Sequence, residues 1–316
     1  MVFPIGMQQR NQLIDEDSEN KYYGVDYRVD IKNSNDSKAI LANHIRKNTR
    51  CLDVGCGVGY LGEALSKYKN TETYGIELDK KAVEYARKDE KYVDVYNFSV
   101  TERKGKEFNR FADSKLKFDY IVFADILEHV ILPEDVILFF SNYLKPGGKI
   151  LVSLPNVAHF DIIRGLTNKK FNYGHSGLLD NTHLRFFTKS SFKQFVGQMN
   201  DVFGQNFAVK EIGKTVAVPD LEPYSHLYKI LDQDGEACVL QFIYEISIDK
   251  KKRETAKEVR EIQYFEEIEG LLEQKDMLEE KIEALEHELS DVYSSISWKM
   301  TKPLRDGAAV FKKVNK

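Results

Sequence analysis

The chain has 316 residues, of which 42% are hydrophobic and 12% aromatic, and its formal net charge is −4. This composition excludes a wholly disordered chain, and the balanced charge gives no general reason to expect nucleic acid as a partner. Three cysteines without metal-ligand spacing predict reduced thiols, as in cytoplasmic proteins. No stretch reaches the ~20 apolar residues of a membrane span. We expect a cytoplasmic protein, attached to the inner face of a membrane at most peripherally.

Strand-like runs alternate with amphipathic helices after an N-terminal arm at residues 1–33. A helix is predicted at 36–45, with Asn35 or Asp36 as its cap. Strands are predicted at 50–54, 72–78, 93–100, 118–124 and 149–154, with helices at 58–68, 79–88 and 133–144 between them. This alternation predicts an α/β fold with a doubly wound, mostly parallel sheet over residues 34–249. Two further runs, 209–218 and 238–248, predict an antiparallel pair at the sheet edge.

Residues 250–296 predict a coiled-coil helix. Apolar residues occupy the a and d positions of a heptad frame, except for a lysine at one a position; the a residues are Ile268, Lys275, Ile282, Leu289 and Ile296, and the d residues are Leu271, Leu278, Leu285 and Val292. Such a narrow stripe favours a homo-oligomer joined through the coiled coil. A single long helix that folds back on the domain is the alternative.

Residues 297–316 form a basic, amphipathic tail. Lysine and arginine side chains are interspersed there with apolar ones such as Trp298 and Phe311. This mixture suits the surface of an anionic membrane. A solvated end with accidental amphipathicity is the alternative.

A glycine-rich loop follows the first predicted strand, in the run Asp53-Val-Gly-Cys-Gly-Val-Gly59. Glycine lets the backbone approach a ligand closely, and open parallel sheets bind ligands at the carboxyl ends of their strands. Glu77 ends the next strand, where an acid is expected to bind ribose hydroxyls. The run from Gly57 to Gly62 also fits the G-x-G-x-x-G fingerprint, so a nicotinamide-dependent oxidoreductase is an alternative at this point.

The loop, with Asp53 before its first glycine, resembles motif I of class I S-adenosylmethionine-dependent methyltransferases. The run 118–130 resembles that family's fourth strand, and 144–152 its fifth strand with the preceding turn. The resemblance implies S-adenosyl-L-methionine as cofactor, bound by residues in and around the loop: Asp53, Gly55, Cys56, Gly57, Gly59, Glu77, Leu78 and Asp125. One departure is visible, because Asn97-Phe-Ser99 lacks the acid that family members often place near the adenine.

Two further segments, 153–160 and 177–188, resemble bacterial methyltransferases encoded among polysaccharide and glycosyltransferase genes. That resemblance implies that the stretch between them is an acceptor-binding lid. It also implies a sugar or lipid-linked glycan as acceptor and a glycosyltransferase as partner.

Acids and histidines follow the fourth strand in the spacing Asp125-x-x-Glu128-His129, and His183 lies in the lid segment. The set is similar to the E-x-x-E-H ligands of ubiquinone-pathway and small-RNA 2′-O-methyltransferases, which implies that Asp125, Glu128, His129 and His183 bind a divalent cation such as Mg²⁺. A cation would lower the pKa of an acceptor hydroxyl. Without one, His183 or His129 is a candidate general base, with Glu128 as the third catalytic candidate. A purely structural role for Glu128 and His129 is the remaining option.

The predicted function is therefore O-methylation of a sugar or sugar-derived acceptor in cell-surface polysaccharide biosynthesis. A methyltransferase for a quinone or another small molecule is one alternative. A catalytically silent scaffold that organises glycosyltransferases through its coiled coil is another.

Overall fold

The computed structural model describes residues 27–88, 91–219 and 221–248, together with part of a helix between residues 275 and 291. Residues 1–26 of the predicted arm, most of the predicted coiled coil and the predicted tail at 297–316 lie outside the described residues. The chain divides into two compact units, Met1–Arg253 and Glu254–Lys316.

The first unit contains seven strands and eight α-helices among its described residues. In chain order they are α1 (Ser37–His44), β1 (Arg50–Val54), α2 (Tyr60–Lys69), β2 (Glu72–Glu77), α3 (Lys80–Ala86), β3 (Asp94–Asn97), α4 (Lys106–Asp113), β4 (Phe118–Ala124), α5 (Pro133–Ser141), β5 (Leu144–Pro155), α6 (Phe160–Thr167), α7 (Lys189–Phe203), β6 (Phe207–Val216), α8 (Ser225–Leu231) and β7 (Val239–Ile248). A short 3₁₀ turn, Leu127–His129, follows β4. Asp36 caps α1 and Asp79 caps α3, each through its side chain.

The strands form one sheet in the order β3-β2-β1-β4-β5-β7-β6. Strands β1 to β5 pair in parallel, whereas β7 runs antiparallel to both β5 and β6. The predicted doubly wound sheet with an antiparallel edge pair is confirmed. The chain leaves β1 toward β3 and returns to the other side of β1 with β4, so the carboxyl ends of β1 and β4 flank the topological switch point.

Side chains alternate between two faces of the sheet, as the two-residue period of a strand requires. In β4, for example, Ile121 and Phe123 belong to the larger core cluster, and Tyr120 and Val122 belong to the opposite one. Helices α4, α5 and α7 contribute to the larger cluster, and α1 and α2 cover the other face. Burial on both faces explains why β4 is a continuous apolar run in the sequence.

Two strands differ from their predicted lengths by more than one residue. Strand β3 ends at Asn97, because the hydroxyl of Ser99 accepts the N–H groups of Thr101 and Glu102 and turns the chain away. Strand β5 begins at Leu144, so it includes the Pro-Gly-Gly sequence that was predicted as a turn before the strand. The pairing of β4 with β5 shifts register between Phe118 and Tyr120, and this irregularity accommodates the extra residues.

The second unit is described only in part, as a helix between residues 275 and 291. Three apolar side chains of the predicted seam are exposed there: Leu278 at 61%, Ile282 at 56% and Leu285 at 55%. None of the helices among the described residues combines the length and the apolar character that a membrane crossing needs.

Candidate active site

The candidate site lies at the carboxyl ends of β1 and β4, which are neighbours in the sheet. The glycine loop follows β1 and the turn with Glu128 and His129 follows β4. Because both strands are parallel, their carboxyl ends meet at the same edge, where open α/β sheets bind ligands. The topology therefore brings the predicted donor loop and the predicted catalytic turn together.

The glycine loop and Glu77 are in direct contact. The N–H of Gly57 donates to Glu77 Oε2 at 2.9 Å, and the N–H of Asp79 donates to Glu77 Oε1 at 2.9 Å. Gly57 has a φ of +53°, and no atom lies within 4 Å of the position that a Cβ would take. Its backbone therefore faces open space next to a carboxylate, which is the arrangement that a ligand with ribose hydroxyls requires.

Asp53 lies beneath the loop rather than on the surface of the site. Its side chain is 1% exposed, and Asp53 Oδ2 accepts a hydrogen bond from the hydroxyl of Tyr92 at 2.7 Å. Burial raises the pKa of Asp53 to about 6, against the hydrogen bond from Tyr92, which lowers it. Asp53 thus supports the loop from below, a position that its place in the motif did not reveal.

Tyr92 is the residue at this site that sequence reasoning missed. A Cβ on Gly62 would lie 2.2 Å from Cζ of the Tyr92 ring, so glycine is required at position 62 by packing. Gly62 is the last glycine of the apparent dinucleotide fingerprint. Packing against the Tyr92 ring explains why this position is glycine, and a bound pyrophosphate is not needed to account for it.

The remaining predicted donor residues lie around the loop. Cys56 is buried, and burial holds the pKa of its thiol well above the ordinary value, so the thiol is neutral. Leu78 is among the exposed apolar side chains. Asn97, which stands where family members often have an acid, donates its side-chain amide to the carbonyls of Glu77 and Leu78 at 2.9 and 2.8 Å. Asn97 therefore holds the end of β2 in place.

Asp125 follows β4 in a left-handed backbone conformation, with a φ of +57°. Its Oδ1 atom accepts hydrogen bonds from Ser153 Oγ at 2.8 Å and from Gln241 Nε2 at 2.7 Å. Strained backbone of this kind persists where neighbours over-determine it, and here β5 and β7 supply those neighbours. Neither Ser153 nor Gln241 was predicted, because no local pattern links them to Asp125.

Glu128, His129 and His183 form one cluster, and their candidate ligand atoms all lie within 4.8 Å of one another. The predicted fourth ligand, Asp125, is not part of this cluster. The Glu128 side chain is 1% exposed, and both its carboxylate oxygens lack a hydrogen-bond partner among the described residues. Burial, with the nearby charge of Asp125, raises the pKa of Glu128 well above its ordinary value. A buried carboxylate without a partner is costly, and a cation at this place would offset that cost.

Both histidines are oriented by backbone carbonyls. Nδ1 of His183 lies 3.1 Å from the carbonyl of Leu178, and Nδ1 of His129 lies 3.3 Å from that of Thr182. A carbonyl only accepts, and the Thr182 hydroxyl, 3.1 Å from Nδ1 of His129, donates to Asp180. Each Nδ1 is therefore the donor in its bond, which leaves each Nε2 for another ligand. Burial and the neighbouring His183 lower the pKa of His129, which favours its neutral form. The cluster therefore offers two imidazoles and a carboxylate, a donor set that suits a divalent cation.

The segment 177–188 is tied to the turn that carries Glu128. The carbonyl of Glu128 accepts the N–H groups of Leu184 and Arg185 at 2.7 and 3.0 Å. The Arg185 guanidinium donates to the carbonyl of Ile131, with Nε at 2.7 Å. These bonds hold His183 beside Glu128, although the two residues come from separate parts of the chain.

A row of aromatic rings leads from the surface of the lid to the cluster. Phe171 and Tyr173, which are 40% and 55% exposed, pack edge to face with centroids 5.7 Å apart. Phe186 lies 6.0 Å from Phe171 and 6.5 Å from His183, and His183 lies 4.8 Å from His129. Exposed rings next to a polar cluster provide an apolar platform for a ligand.

Comparisons with known proteins agree with this geometry. Residues 30–200 match the family described as "Methyltransferase domain". The chain is 29% identical over 126 residues to a mitochondrial ubiquinone biosynthesis O-methyltransferase of Dictyostelium discoideum, covering 38% of this chain and 39% of that protein. It is 32% identical over 141 residues to the ubiquinone biosynthesis O-methyltransferase of Nitrosococcus oceani, covering 42% of this chain and 56% of that protein. The chain thus spans about half or less of the length of these curated relatives.

Among solved structures, a methyltransferase from Archaeoglobus fulgidus, described as SAM-dependent, matches with 16% identity and a TM-score of 0.45, over 67% of this chain and 92% of that one. The family match covers more than half of the 316 residues. The protein therefore belongs to the family described as "Methyltransferase domain".

Proposed function

We propose that this protein transfers a methyl group from S-adenosylmethionine to a hydroxyl of a ring-bearing acceptor. The observation that carries the proposal is the buried, unpartnered carboxylate of Glu128, set beside His129 and His183 after β4, the strand that neighbours β1 and its glycine loop. Relatives named as O-methyltransferases support oxygen as the methylated atom. Catalysis would consist of aligning the two substrates and removing the hydroxyl proton.

The donor would lie across the glycine loop. Gly57 gives it backbone access, Glu77 accepts its ribose hydroxyls, and Leu78 flanks its adenine. Gly55, Cys56 and Gly59 shape the loop, and Asp53 supports it from beneath. Asp125, which uses Oδ1 to accept from Ser153 and Gln241, would accept a hydrogen bond from the donor's ammonium group with its second carboxylate oxygen.

Glu128, His129 and His183 would hold a divalent cation such as Mg²⁺. When bound, such a cation would lower the pKa of the acceptor hydroxyl and orient its oxygen. In the transfer, the hydroxyl gives up its proton to water, its oxygen attacks the sulfonium methyl, the new C–O bond forms as the C–S bond breaks, and S-adenosylhomocysteine leaves. If the cluster works without metal, Nε2 of His183 accepts the proton instead, since its Nδ1 is committed to Leu178.

The aromatic row of Phe171, Tyr173 and Phe186 supports an acceptor that carries a ring. A sugar hydroxyl, free or on a lipid-linked glycan, is the acceptor implied by the resemblance of the lid segments to polysaccharide-associated methyltransferases. A quinone precursor is the second candidate, favoured by the names of the curated relatives. In both candidates the methylated oxygen sits on a ring that can pack against these side chains.

The exposed stripe of Leu278, Ile282 and Leu285 supports self-association of the helix that carries it. Such an oligomer could bring a glycosyltransferase partner near the active site, and the basic tail at 297–316 could place the protein at an anionic membrane. A catalytically silent scaffold would keep these contacts and lose the donor site. The open glycine loop beside Glu77 argues for a working enzyme instead.

Mass spectrometry tests the choice of acceptor. Surface glycans and the quinone pool are compared between cells that produce the protein, cells that lack it, and cells that produce the Glu128→Gln variant. We expect a methyl group to be lost from the glycans in the last two. Loss from the quinone pool would establish the second candidate, and unchanged methylation in both pools would contradict the proposal.

A further inference from the structure

Tyr92 fills the space beneath the glycine loop and joins two parts of the donor site. Its hydroxyl donates to Asp53 Oδ2 at 2.7 Å and accepts the N–H of Gly62 at 3.2 Å. The side chain is buried in a small cluster with Cys56, and burial keeps the pKa of its phenol well above the ordinary value. Tyr92 is thus a neutral donor and acceptor that connects β1 with the start of α2.

The bond to Gly62 replaces a missing helix cap. The N-cap residue of α2 is Gly59, which has no side chain to accept the first N–H groups. Gly62 is the third residue of the helix, so its N–H has no partner within the helix itself. Serine or aspartate usually supplies the acceptor from the N-cap position. Here Tyr92 supplies it from a different segment of the chain.

The ring of Tyr92 also explains where glycine is required. A Cβ on Gly59 would lie 3.0 Å from Cε2 of the ring, and a Cβ on Gly75 would lie 3.3 Å from Cδ1. Together with Gly62, these positions surround the ring closely. Gly57, in contrast, would meet no atom within 4 Å. Gly59, Gly62 and Gly75 therefore leave room for the Tyr92 ring, whereas Gly57 faces the open space proposed for the ligand.

We infer that Tyr92 is a positioning residue for the methyl donor. Its ring and hydroxyl hold the glycine loop and the first turn of α2 in the conformation that binds S-adenosylmethionine, and Asp53 acts through Tyr92 instead of by contact with the donor. The inference rests on the donor half of the proposed function.

Binding of S-adenosylhomocysteine to the full chain, measured by calorimetry without an acceptor, tests this role. Tyr92→Phe keeps the ring and removes both hydrogen bonds, so we expect about tenfold weaker binding, as the loss of a cap implies. Tyr244→Phe is the matched control, because it removes a buried hydroxyl that has no hydrogen-bond partner among the described residues. We expect the control to bind like the unmodified protein.

The pH dependence of binding separates positioning from simple packing. Asp53 faces Tyr92, Cys56, Glu77 and Lys38. With a pKa of about 6, its carboxylate becomes protonated as the pH falls through that value, and the charge-assisted bond to Tyr92 weakens. We expect the affinity to decrease below pH 6 in the unmodified protein. It should not vary with pH in this range in Asp53→Asn or in Tyr92→Phe, because neither variant has the charge-assisted bond through which the titration of Asp53 acts.

If Tyr92→Phe folds poorly, a pair of compensating substitutions at positions 62 and 92 tests the same role. Gly62→Ala should weaken binding in the presence of Tyr92 and be tolerated with Tyr92→Ala, since the added methyl then occupies part of the space of the ring. Equal affinity and equal pH profiles for the unmodified protein and Tyr92→Phe would overturn the positioning role. Absence of binding by the unmodified protein would instead contradict the donor half of the proposed function.

Discussion

The main-chain carbonyl of Glu128 accepts the N–H of Leu184 at 2.7 Å, and this bond ties the turn after β4 to the segment 177–188. Its consequence is that His183, next to Leu184, lies with Glu128 and His129 in one cluster. The buried carboxylate of Glu128 is unpartnered in that cluster, which is unfavourable for stability and favourable for binding a cation. The unpartnered carboxylate of Glu128 thus lowers the stability of the fold in exchange for a site that can bind a cation.

Replacing Glu128 by glutamine should have opposite effects on activity and stability. We expect methyl transfer to fall by at least about 10²-fold, the usual loss when a group that assists proton removal is deleted. In chelator, the free energy of unfolding should rise by about 1 kcal/mol, because glutamine does not carry the cost of burying an unpartnered carboxyl group whose pKa must rise on folding. Urea unfolding measures this change. Glu245→Gln is the control with the opposite sign, since Glu245 is buried with His44 and Lys149 as ion-pair partners; a stability loss in both variants would contradict the account.

Magnesium should stabilise the folded protein through the same cluster. A ligand that binds only the native state raises the unfolding temperature as its concentration exceeds its Kd. We expect Mg²⁺ to raise Tm in the unmodified protein and to leave it unchanged in His183→Ala and Glu128→Gln. Turnover should be lost after dialysis against a chelator and return when Mg²⁺ is added. Full turnover in chelator would exclude a metal-dependent mechanism and favour His183 as the general base.

Truncating the exposed end of the aromatic row should weaken binding of the acceptor and leave binding of the donor unchanged. Tyr173→Ala removes a ring that is 55% exposed and whose neighbours are Phe171 and Phe186. We expect the KM for the acceptor to rise by about tenfold, with the affinity for S-adenosylhomocysteine unchanged. Val202→Ala, on an exposed apolar side chain of α7, serves as the control. A change in donor affinity without a change in acceptor KM would show that the row serves another purpose.

The helix between 275 and 291 should hold copies of the chain together. Ile282→Asp places a charge in the seam formed with Leu278 and Leu285, and we expect it to convert an oligomer into a monomer in analytical ultracentrifugation. Glu280→Ala lies outside the seam and should leave the oligomer intact. A monomeric unmodified protein, or an oligomer that survives Ile282→Asp, would rule out the seam as the interface.

Local sequence patterns predicted those elements whose signals are local. Strands β1 and β4 begin and end as predicted, because each is a short, buried apolar run, and Asp79 caps α3 as its position suggested. Within the candidate site, only the residues that belong to a local sequence motif could be predicted. The partners of Asp53 and Asp125, which are Tyr92, Ser153 and Gln241, could not be predicted, since tertiary packing alone brings them together.

The roles of the individual glycines were equally hidden in the sequence. The same G-x-G-x-x-G spacing results from a pyrophosphate site or from a tyrosine ring seated against Gly62. Only the atoms around each glycine distinguish the two causes. This is why the loop pattern alone left a nicotinamide cofactor open, and why the family match and the packing of Tyr92 were needed to interpret it.

Calorimetric titration of S-adenosylhomocysteine into the protein and its Gly57→Val variant tests the central claim most directly. A valine at position 57 would extend into the open space beside Glu77 and strain a backbone with φ of +53°. Gly105→Val is the matched control, at a glycine with φ of +91° that also faces open space but lies before α4. The account predicts binding by the unmodified protein and the control, and none by Gly57→Val. Unchanged binding by Gly57→Val, or no binding by the unmodified protein, would contradict the account.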